Sequence, residues 1–223
     1  YPDMVSQLST SKSPHQMFGT LTKTWLAQRL GVDPSRIFNI SIMPCVAKKQ
    51  EIDIPAMNDS GFRDVDLVLT TREVVRMIRS EHIDVSVLQD LPLDDPLGGV
   101  MEAALRTAYY LVNGKDPDPD AYQQMRGMDA WKAFHFDLGK TSVRCAKVSG
   151  LGNTRKLIEA MRRGEAEFDF VEVMACPGGC SGGGGQPIHE GEELAEERAS
   201  VLYQLDRKAP MRFSHENPAI RKL

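Results

Sequence analysis

Cysteine, long apolar runs and an excess of one charge are all scarce in this sequence. Its 223 residues include only 4 cysteines, too few for a fold held together by disulfide bonds. The formal net charge of −4 argues mildly against nucleic acid or an anionic membrane as the main partner. The apolar runs fall short of the roughly 20 residues of a membrane span, and no secretory leader opens the chain. We therefore expect no membrane span, no secretion and no nucleic-acid partner.

Glycine and cysteine are instead concentrated in one stretch, VMACPGGCSGGGGQP, which runs from Val173 to Pro187. Three residues, two of them glycine, separate Cys176 from Cys180, and four more glycines follow almost at once. Glycine allows a close backbone approach, so that thiolates can converge on a cofactor whose sulfides accept hydrogen bonds from exposed N–H groups. We interpret this stretch as a metal- or cluster-binding loop, with Cys45 as a third candidate ligand.

Zinc binding and thiol–disulfide catalysis are the alternatives for this cysteine pair. Structural zinc favours two pairs of closely spaced ligands, whereas Cys45 stands alone about 130 residues upstream. Redox cysteines favour a Cys-x-x-Cys sequence at a helix start, and here three residues intervene. An iron–sulfur cluster held by scattered cysteines fits best. Cys145 differs, because it lies within a strand-like run without nearby glycine or proline, and we expect it in the core.

Strand-like and helix-like segments alternate along the chain. The expected strands lie at 37–43, 65–71, 142–150 and 168–174, with a hairpin around FHFDLGKTSV. The expected helices lie at 14–30, 72–81 with a cap at Thr71, 99–114, 153–164 and 192–206. This alternation predicts an α/β fold of two lobes, each a small, mostly parallel sheet flanked by helices, with the cofactor site in the cleft between them.

The predicted domain organisation has three parts. The first lobe covers 1–98, the second covers 99–190, and a C-terminal helical extension at 191–223 packs back on the domain. Cys45 would lie in the first lobe, and Cys176 with Cys180 in the second. Cys45 and Cys176 each follow a strand, and ligands bind outside the carboxyl ends of parallel strands.

The sequences around the cysteines resemble those of a known family. SIMPCVAKKQE and VEVMACPGGCSGGGGQP are similar to two of the three signature segments of the catalytic domain of FeFe (iron-only) hydrogenases. LSTSKSPHQMFG, GFRDVDLVLTTRE, GGVMEAALRTA, RASVLYQLD and SHENPA resemble other parts of that domain, in the same order. The first signature, a Thr-Ser-Cys segment that supplies the fourth cluster ligand, would lie upstream of Tyr1. LPLDDPLG runs directly into GVMEAAL, where the family has a glycine-rich loop over the active site.

The resemblance implies an H-cluster, in which a four-iron four-sulfur cluster is bridged to a di-iron subcluster with CO, CN and dithiolate ligands. By motif position, Cys45 and Cys176 would be ligands of the four-iron cluster and Cys180 the bridging thiolate. Lys48 would donate a charge-assisted hydrogen bond to a cyanide, and Glu51 would organise that lysine. From the residues alone, the lysine is equally well a solvated surface residue and the glutamate a surface carboxylate.

Five further positions match residues with roles in the family. Ser9 corresponds to a serine of the proton relay, Ser13 and Pro14 to residues that line the di-iron pocket, and Met43 and Met174 to methionines beside the cluster. Without the resemblance, the sequence around both methionines is equally consistent with ordinary core residues at the ends of strands.

The implied function is a hydrogenase that reversibly reduces protons to H2, with ferredoxin or a similar electron carrier and with maturation proteins that deliver the di-iron unit. Because the chain continues through RASVLYQLD, it resembles the cytoplasmic single-chain members. The alternative is a non-catalytic iron–sulfur cluster assembly or binding protein of the same superfamily, which should lack the di-iron pocket. A redox-sensing hydrogenase is a third interpretation.

Overall fold

The computed structural model describes residues 1–89, 99–127, 129–139 and 141–222. The α-helices of this part of the chain are α1 (Pro14–Leu21), α2 (Ala27–Leu30), α3 (Ala47–Glu51), α4 (Thr71–Ser80), α5 (Val100–Asn113), α6 (Leu151–Arg162) and α7 (Ala195–Lys208). The strands are β1 (Ile40–Met43), β2 (Leu67–Thr70), β3 (Trp131–Asp137), β4 (Ser142–Ser149) and β5 (Phe170–Met174). No helix within the described residues is both long enough and apolar enough to cross a bilayer.

The chain divides into two compact units. The first unit comprises Tyr1–Ile83 and Gly184–Pro187, and the second comprises Asp84–Gly183 and Ile188–Leu223. The segment LPLDDPLG, and with it part of the predicted lobe boundary near Leu97 to Val100, lies outside the described residues. The division into 1–98, 99–190 and 191–223 therefore stays a prediction.

The first unit is built on a parallel pair of strands. β1 pairs with β2 from Ile40 opposite Leu67 to Met43 opposite Thr70. β1 begins three residues later than expected. The preceding residue, Asn39, donates its backbone N–H to the Asp66 side-chain carboxylate at 2.7 Å instead of to a neighbouring strand. The strand is also less buried than its composition indicates, with Ile40 and Ile42 both more than half exposed.

Helices flank this small sheet. The predicted helix at 14–30 is continuous, although a π-helical stretch, Thr22–Leu26, separates α1 from α2. α4 is capped by Thr70, and the expected cap at Thr71 was wrong. Thr70 is the last residue of β2 and keeps the extended backbone that an N-cap needs, whereas Thr71 is already helical. Glu73 completes a capping box, because its carboxylate accepts from the Thr70 backbone N–H at 2.7 Å.

The second unit contains a three-stranded sheet in the order β3-β4-β5. β3 and β4 form the predicted antiparallel hairpin, and β4 and β5 are parallel, so this sheet is mixed. Cys145 is fully buried on one face in a cluster with residues of α5 and β3, as expected. Ala146 and Val148 pack with Leu157 of α6 in a second cluster. Each unit is therefore a small sheet flanked by helices, which confirms the predicted α/β class.

A buried ionic cluster also lies in the second unit. Asp206 of α7 is 0% exposed and binds Arg106 of α5, Arg126 and Arg212. Glu102 of α5 accepts hydrogen bonds from Arg106 and Arg126, both at 2.7 Å. These bonds join the C-terminal helix to the body of the second unit through charged groups instead of apolar packing alone.

Candidate functional site

Cys45 lies in the first unit, in the turn between β1 and α3. It is half-buried and forms no disulfide bond. Its neighbour Pro44 accepts a hydrogen bond through its carbonyl oxygen from the backbone N–H of Gly185 at 3.0 Å. A Cβ at Gly185 would lie 2.9 Å from the Pro44 carbonyl carbon, so that only glycine fits against this backbone without displacing it.

A polar network begins three residues after Cys45. The Lys48 ammonium donates to both carboxylate oxygens of Glu51, at 2.9 and 2.8 Å. His15 Nε2 lies 2.6 Å from Glu51 Oε2, and the Ser13 hydroxyl donates to the same oxygen at 3.0 Å. The start of α1 and the end of α3 are therefore tied together through one carboxylate.

The electrostatics of this network favour an ionised Glu51. Burial raises the pKa of the Glu51 carboxyl, but hydrogen bonds from Lys48, His15 and Ser13 outweigh it and hold the pKa below its usual value. The neighbouring Lys49 has different partners, because its ammonium donates to the Val68 carbonyl at 2.9 Å and pairs with Glu73. The two adjacent lysines, indistinguishable in the sequence, thus face separate surroundings.

The remaining predicted site residues of the first unit are more scattered. Pro14 is the exposed first residue of α1, beside Ser13. Met43 ends β1 and packs against the small core of that unit, as the core interpretation expects. Ser9 lies in an exposed segment, where its hydroxyl accepts a hydrogen bond from the Ser11 backbone N–H at 3.2 Å.

The cysteine pair of the second unit lies in a tight loop after β5. Gly179 N donates to the Cys176 carbonyl at 3.0 Å. The Ser149 hydroxyl also donates to that carbonyl, at 3.1 Å, and accepts from the Gly178 N–H at 2.7 Å. Gly178 and Gly179 have φ values of 73° and 66°, the left-handed region in which glycine is favoured. Cys176 is half-buried and Cys180 is exposed.

Close backbone packing explains two of the glycines around this pair. A Cβ at Gly182 would lie 2.1 Å from the Pro177 carbonyl oxygen. A Cβ at Gly179 would lie 2.6 Å from the sulfur of Met174, which is half-buried at the end of β5. Met174 therefore packs against the loop that carries the two cysteines.

Three residues near the predicted site were not identified from the sequence. His15 and Ser41 belong to the network of the first unit, with His15 Nδ1 lying 3.1 Å from the Ser41 hydroxyl. Ser149 supports the cysteine loop. Ser149 ends β4 opposite Met174 of the parallel strand β5, and residues at the carboxyl ends of parallel strands share one edge of a sheet. That rule was sufficient to nominate Ser149, whereas no local signal marked His15.

The donor chemistry fits an iron–sulfur cofactor. Cys45, Cys176 and Cys180 are thiols without disulfide bonds and with some exposure, and thiolates are the usual ligands of such clusters. Cys145 does not fit, because burial raises the pKa of its thiol. Within the described residues no three histidine, cysteine or acidic side chains are gathered as a metal-binding group. Cys45 belongs to the first unit and the pair to the second, so that their joint ligation stays a prediction.

Comparisons with known proteins agree with the resemblance of the motifs. Residues 1–184 match the model of the iron only hydrogenase large subunit, C-terminal domain, and residues 192–223 match that of the iron hydrogenase small subunit. The NADP-reducing hydrogenase subunit HndD of Solidesulfovibrio fructosivorans is 44% identical over 100% of this chain and 40% of its own length. Cytosolic iron-sulfur assembly component 3 of Rattus norvegicus is 34% identical over 91% of this chain and 47% of its own.

The fold agrees as well. FeFe-hydrogenase HydA, in the form called HydA(deltaEFG), superposes with a TM-score of 0.84 at 35% identity, over 100% of this chain and 66% of that one. The chain spans less than half the length of both curated relatives. From its matched residues and its fold, the chain belongs to the iron-only (FeFe) hydrogenase family, in the C-terminal catalytic domain of the large subunit.

Proposed function

We propose that the full-length protein is an FeFe hydrogenase, which catalyses the reversible reduction of protons to molecular hydrogen. The observation that carries the proposal is the network that holds Lys48 against Glu51, three residues after Cys45. A lysine fixed in this way has a role beside a cofactor with anionic cyanide ligands. A protein that only carries an iron–sulfur cluster has no such ligand to recognise.

Three cysteines would hold the cofactor in this proposal. Cys45 and Cys176 would ligate a four-iron four-sulfur cluster, and Cys180 would bridge it to a di-iron subcluster with CO, CN and dithiolate ligands. Support comes from the donor chemistry, because all three are thiols without disulfide bonds and with some exposure. When bound, the cofactor would supply the redox-active iron at which protons combine with electrons from the carrier.

The side chains of this domain would position the cofactor and move protons. Lys48 would donate a charge-assisted hydrogen bond to a cyanide, and Glu51 would hold that lysine in place. Ser13 would contribute doubly, because its hydroxyl already donates to Glu51 and it would also line the di-iron pocket. We infer that Pro14 lines the same pocket and that Ser9 passes protons in the full-length protein.

The two methionines would lie beside the cofactor and exclude water from it. Met43 and Met174 each end a strand immediately before one of the cysteine segments. Their thioethers are apolar enough to keep a cluster dry and flexible enough to fit an irregular inorganic surface. A dry surround is one of the means by which a protein tunes an iron–sulfur centre.

We further infer that ferredoxin or a similar carrier exchanges electrons with the protein, that maturation proteins deliver the di-iron unit, and that the protein is cytoplasmic. Support for the location is the segment at 192–223, which matches the small-subunit family and lies on the same chain as the large-subunit domain.

A second candidate is an iron–sulfur cluster assembly protein. It is favoured by the rat relative, a cytosolic iron-sulfur assembly component that is 34% identical over 91% of the chain. Such a protein would bind an iron–sulfur cluster through its cysteines but would not acquire CO and CN ligands.

Infrared spectroscopy separates the two candidates. The full-length protein would be produced with and without the maturation proteins, and hydrogen evolution from a reduced mediator would be measured on the same samples. A hydrogenase is expected to show CO and CN bands and to evolve hydrogen only after maturation. Cys180→Ala should lose both signals, whereas Cys145→Ala, a core variant, should keep the bands. An iron–sulfur absorption spectrum without CO and CN bands after maturation would contradict the hydrogenase proposal and favour the second candidate.

A further inference from the structure

His15 links the Glu51 carboxylate, which holds Lys48, to Ser41 of β1. Its side chain is only 5% exposed, and both ring nitrogens have partners. Nε2 lies 2.6 Å from Glu51 Oε2, and Nδ1 lies 3.1 Å from the Ser41 hydroxyl. Because two contacts on opposite sides of the ring determine its orientation, the imidazole cannot turn without breaking one of them.

The pairing of Lys48 with Glu51 needs such support. Both residues lie in α3, which has only five residues, and isolated helices of that length are not stable in water. A pair spaced i,i+3 on a helix surface contributes little stability by itself. The carboxylate must therefore be held from outside the helix, and His15 and Ser13, both at the start of α1, provide those contacts.

The Glu51 carboxylate takes part in four close contacts, three of them at one oxygen. Oε2 receives His15, Ser13 and Lys48, and Oε1 receives Lys48 again. An ionised carboxylate has about four acceptor positions. The His15 contact is the shortest of the set at 2.6 Å, and its acceptor is an ionised carboxylate, which strengthens a hydrogen bond. Loss of this donor would free the carboxylate to rotate, and the ammonium would follow it.

We propose that His15 is a positioning residue, which orients the Glu51 carboxylate and thereby fixes Lys48. This role rests on the proposed function in one respect, namely the identity of the ligand that Lys48 contacts. His15 acts through Glu51 and is not itself assigned to the cofactor. Ser41 orients the ring from β1. The ligand that Lys48 would bind is an anion, and an ammonium that is already fixed in place is a better donor to an anion than a mobile one.

Three variants of His15 separate its hydrogen bond from its shape. His15→Gln keeps an N–H donor near the position of Nε2 and so should still reach Glu51. His15→Asn places its amide near the position of Nδ1 and so should keep only the Ser41 contact. His15→Leu removes both contacts while it fills the buried space.

Competitive acylation of lysines, with mass spectrometry of the full-length metal-free protein, measures the result without the cofactor. The Lys48 ammonium is held against both carboxylate oxygens of Glu51, and it should therefore meet the acylating reagent slowly. We expect its rate to rise several-fold in His15→Leu and His15→Asn and to stay within about twofold of wild type in His15→Gln. Lys49, which pairs with Glu73, is the internal control and should not change in any variant.

The outcomes are distinct. An unchanged Lys48 rate in His15→Asn, or equal rates in His15→Asn and His15→Gln, would overturn the proposal, and this comparison stands even if His15→Leu fails to fold. In matured protein a CN band should shift in His15→Asn and return to the wild-type frequency in His15→Gln. If no CO and CN bands form in wild type, the proposed function fails, whereas the acylation result still decides the role of His15.

Discussion

Asp206→Asn is expected to destabilise the second unit strongly. Asp206 is 0% exposed, and its two oxygens receive four hydrogen bonds from three arginines. Asparagine has the same shape but no charge, and its amide nitrogen would face arginine N–H groups. Arg106 Nε, Arg126 Nη1 and Arg212 Nε are already buried without a hydrogen-bond partner among the described residues. In the described part of the chain, this cluster therefore already contains donors that lack an acceptor.

The size of the loss follows from which partners remain. Hydrogen bonds to charged groups contribute about 1.5–3 kcal/mol each, but Arg106 and Arg126 keep Glu102, and Arg212 keeps Asp120. The net cost is then that of one buried ion pair with one partner removed, about 3–5 kcal/mol.

Hydrogen exchange of the α5 and α7 amides, measured by mass spectrometry on the full-length protein, reports the stability of this region. The matched control is Asp169→Asn. Asp169 also pairs with an arginine, Arg144, but both side chains are more than one third exposed, and an exposed pair is worth about 1 kcal/mol or less. Equal losses in the two variants would refute the account of the buried cluster.

The effect should also depend on pH. Burial raises the pKa of the Asp206 carboxyl, but the three arginines outweigh it, and the folded-state pKa lies below its ordinary value. The stabilisation is then present above the unfolded pKa of about 3.9 and is lost as pH falls through the lower folded value. The difference between wild type and Asp206→Asn should shrink in strong acid. A difference that grows on acidification would contradict this sign.

Three further predictions concern local packing. Thr70→Ala should lower stability by about 0.5–2 kcal/mol because it removes the cap of α4, whereas Thr71→Ala should change stability by less than about 0.5 kcal/mol. Equal exchange rates of the α4 amides in the two variants would contradict this difference. Gly182→Ala would place a Cβ 2.1 Å from a carbonyl oxygen and should cost about 1–3 kcal/mol, with loss of bound iron. Gly184→Ala, whose Cβ would meet nothing closer than 3.7 Å, should retain its iron, and equal iron contents would contradict the difference. Cys145→Ser should lower stability by roughly 1–3 kcal/mol through a buried hydroxyl with its iron unchanged; iron loss at unchanged stability would rule out the core role.

Several elements could be predicted from the sequence because their signals are local. Gly99 and Gly114 bracket a helical run, and α5 occupies the residues between them. The alternating aromatic residues of β3 predict the hairpin with β4, which the antiparallel register confirms. The cap of α4 was misplaced by one residue, because two threonines follow one another and the choice depends on where the strand ends.

The sequence by itself indicated the family through motifs spread along the chain, and the α/β class through the alternation of strand-like and helix-like segments. It indicated the core position of Cys145 and the candidate thiolate ligands through the residues around each cysteine. Only the tertiary structure brought His15 onto the Glu51 carboxylate, although the two residues lie 36 positions apart in the sequence. No local pattern encodes such a contact, because a hydrogen bond between distant segments depends on how the helices and strands pack.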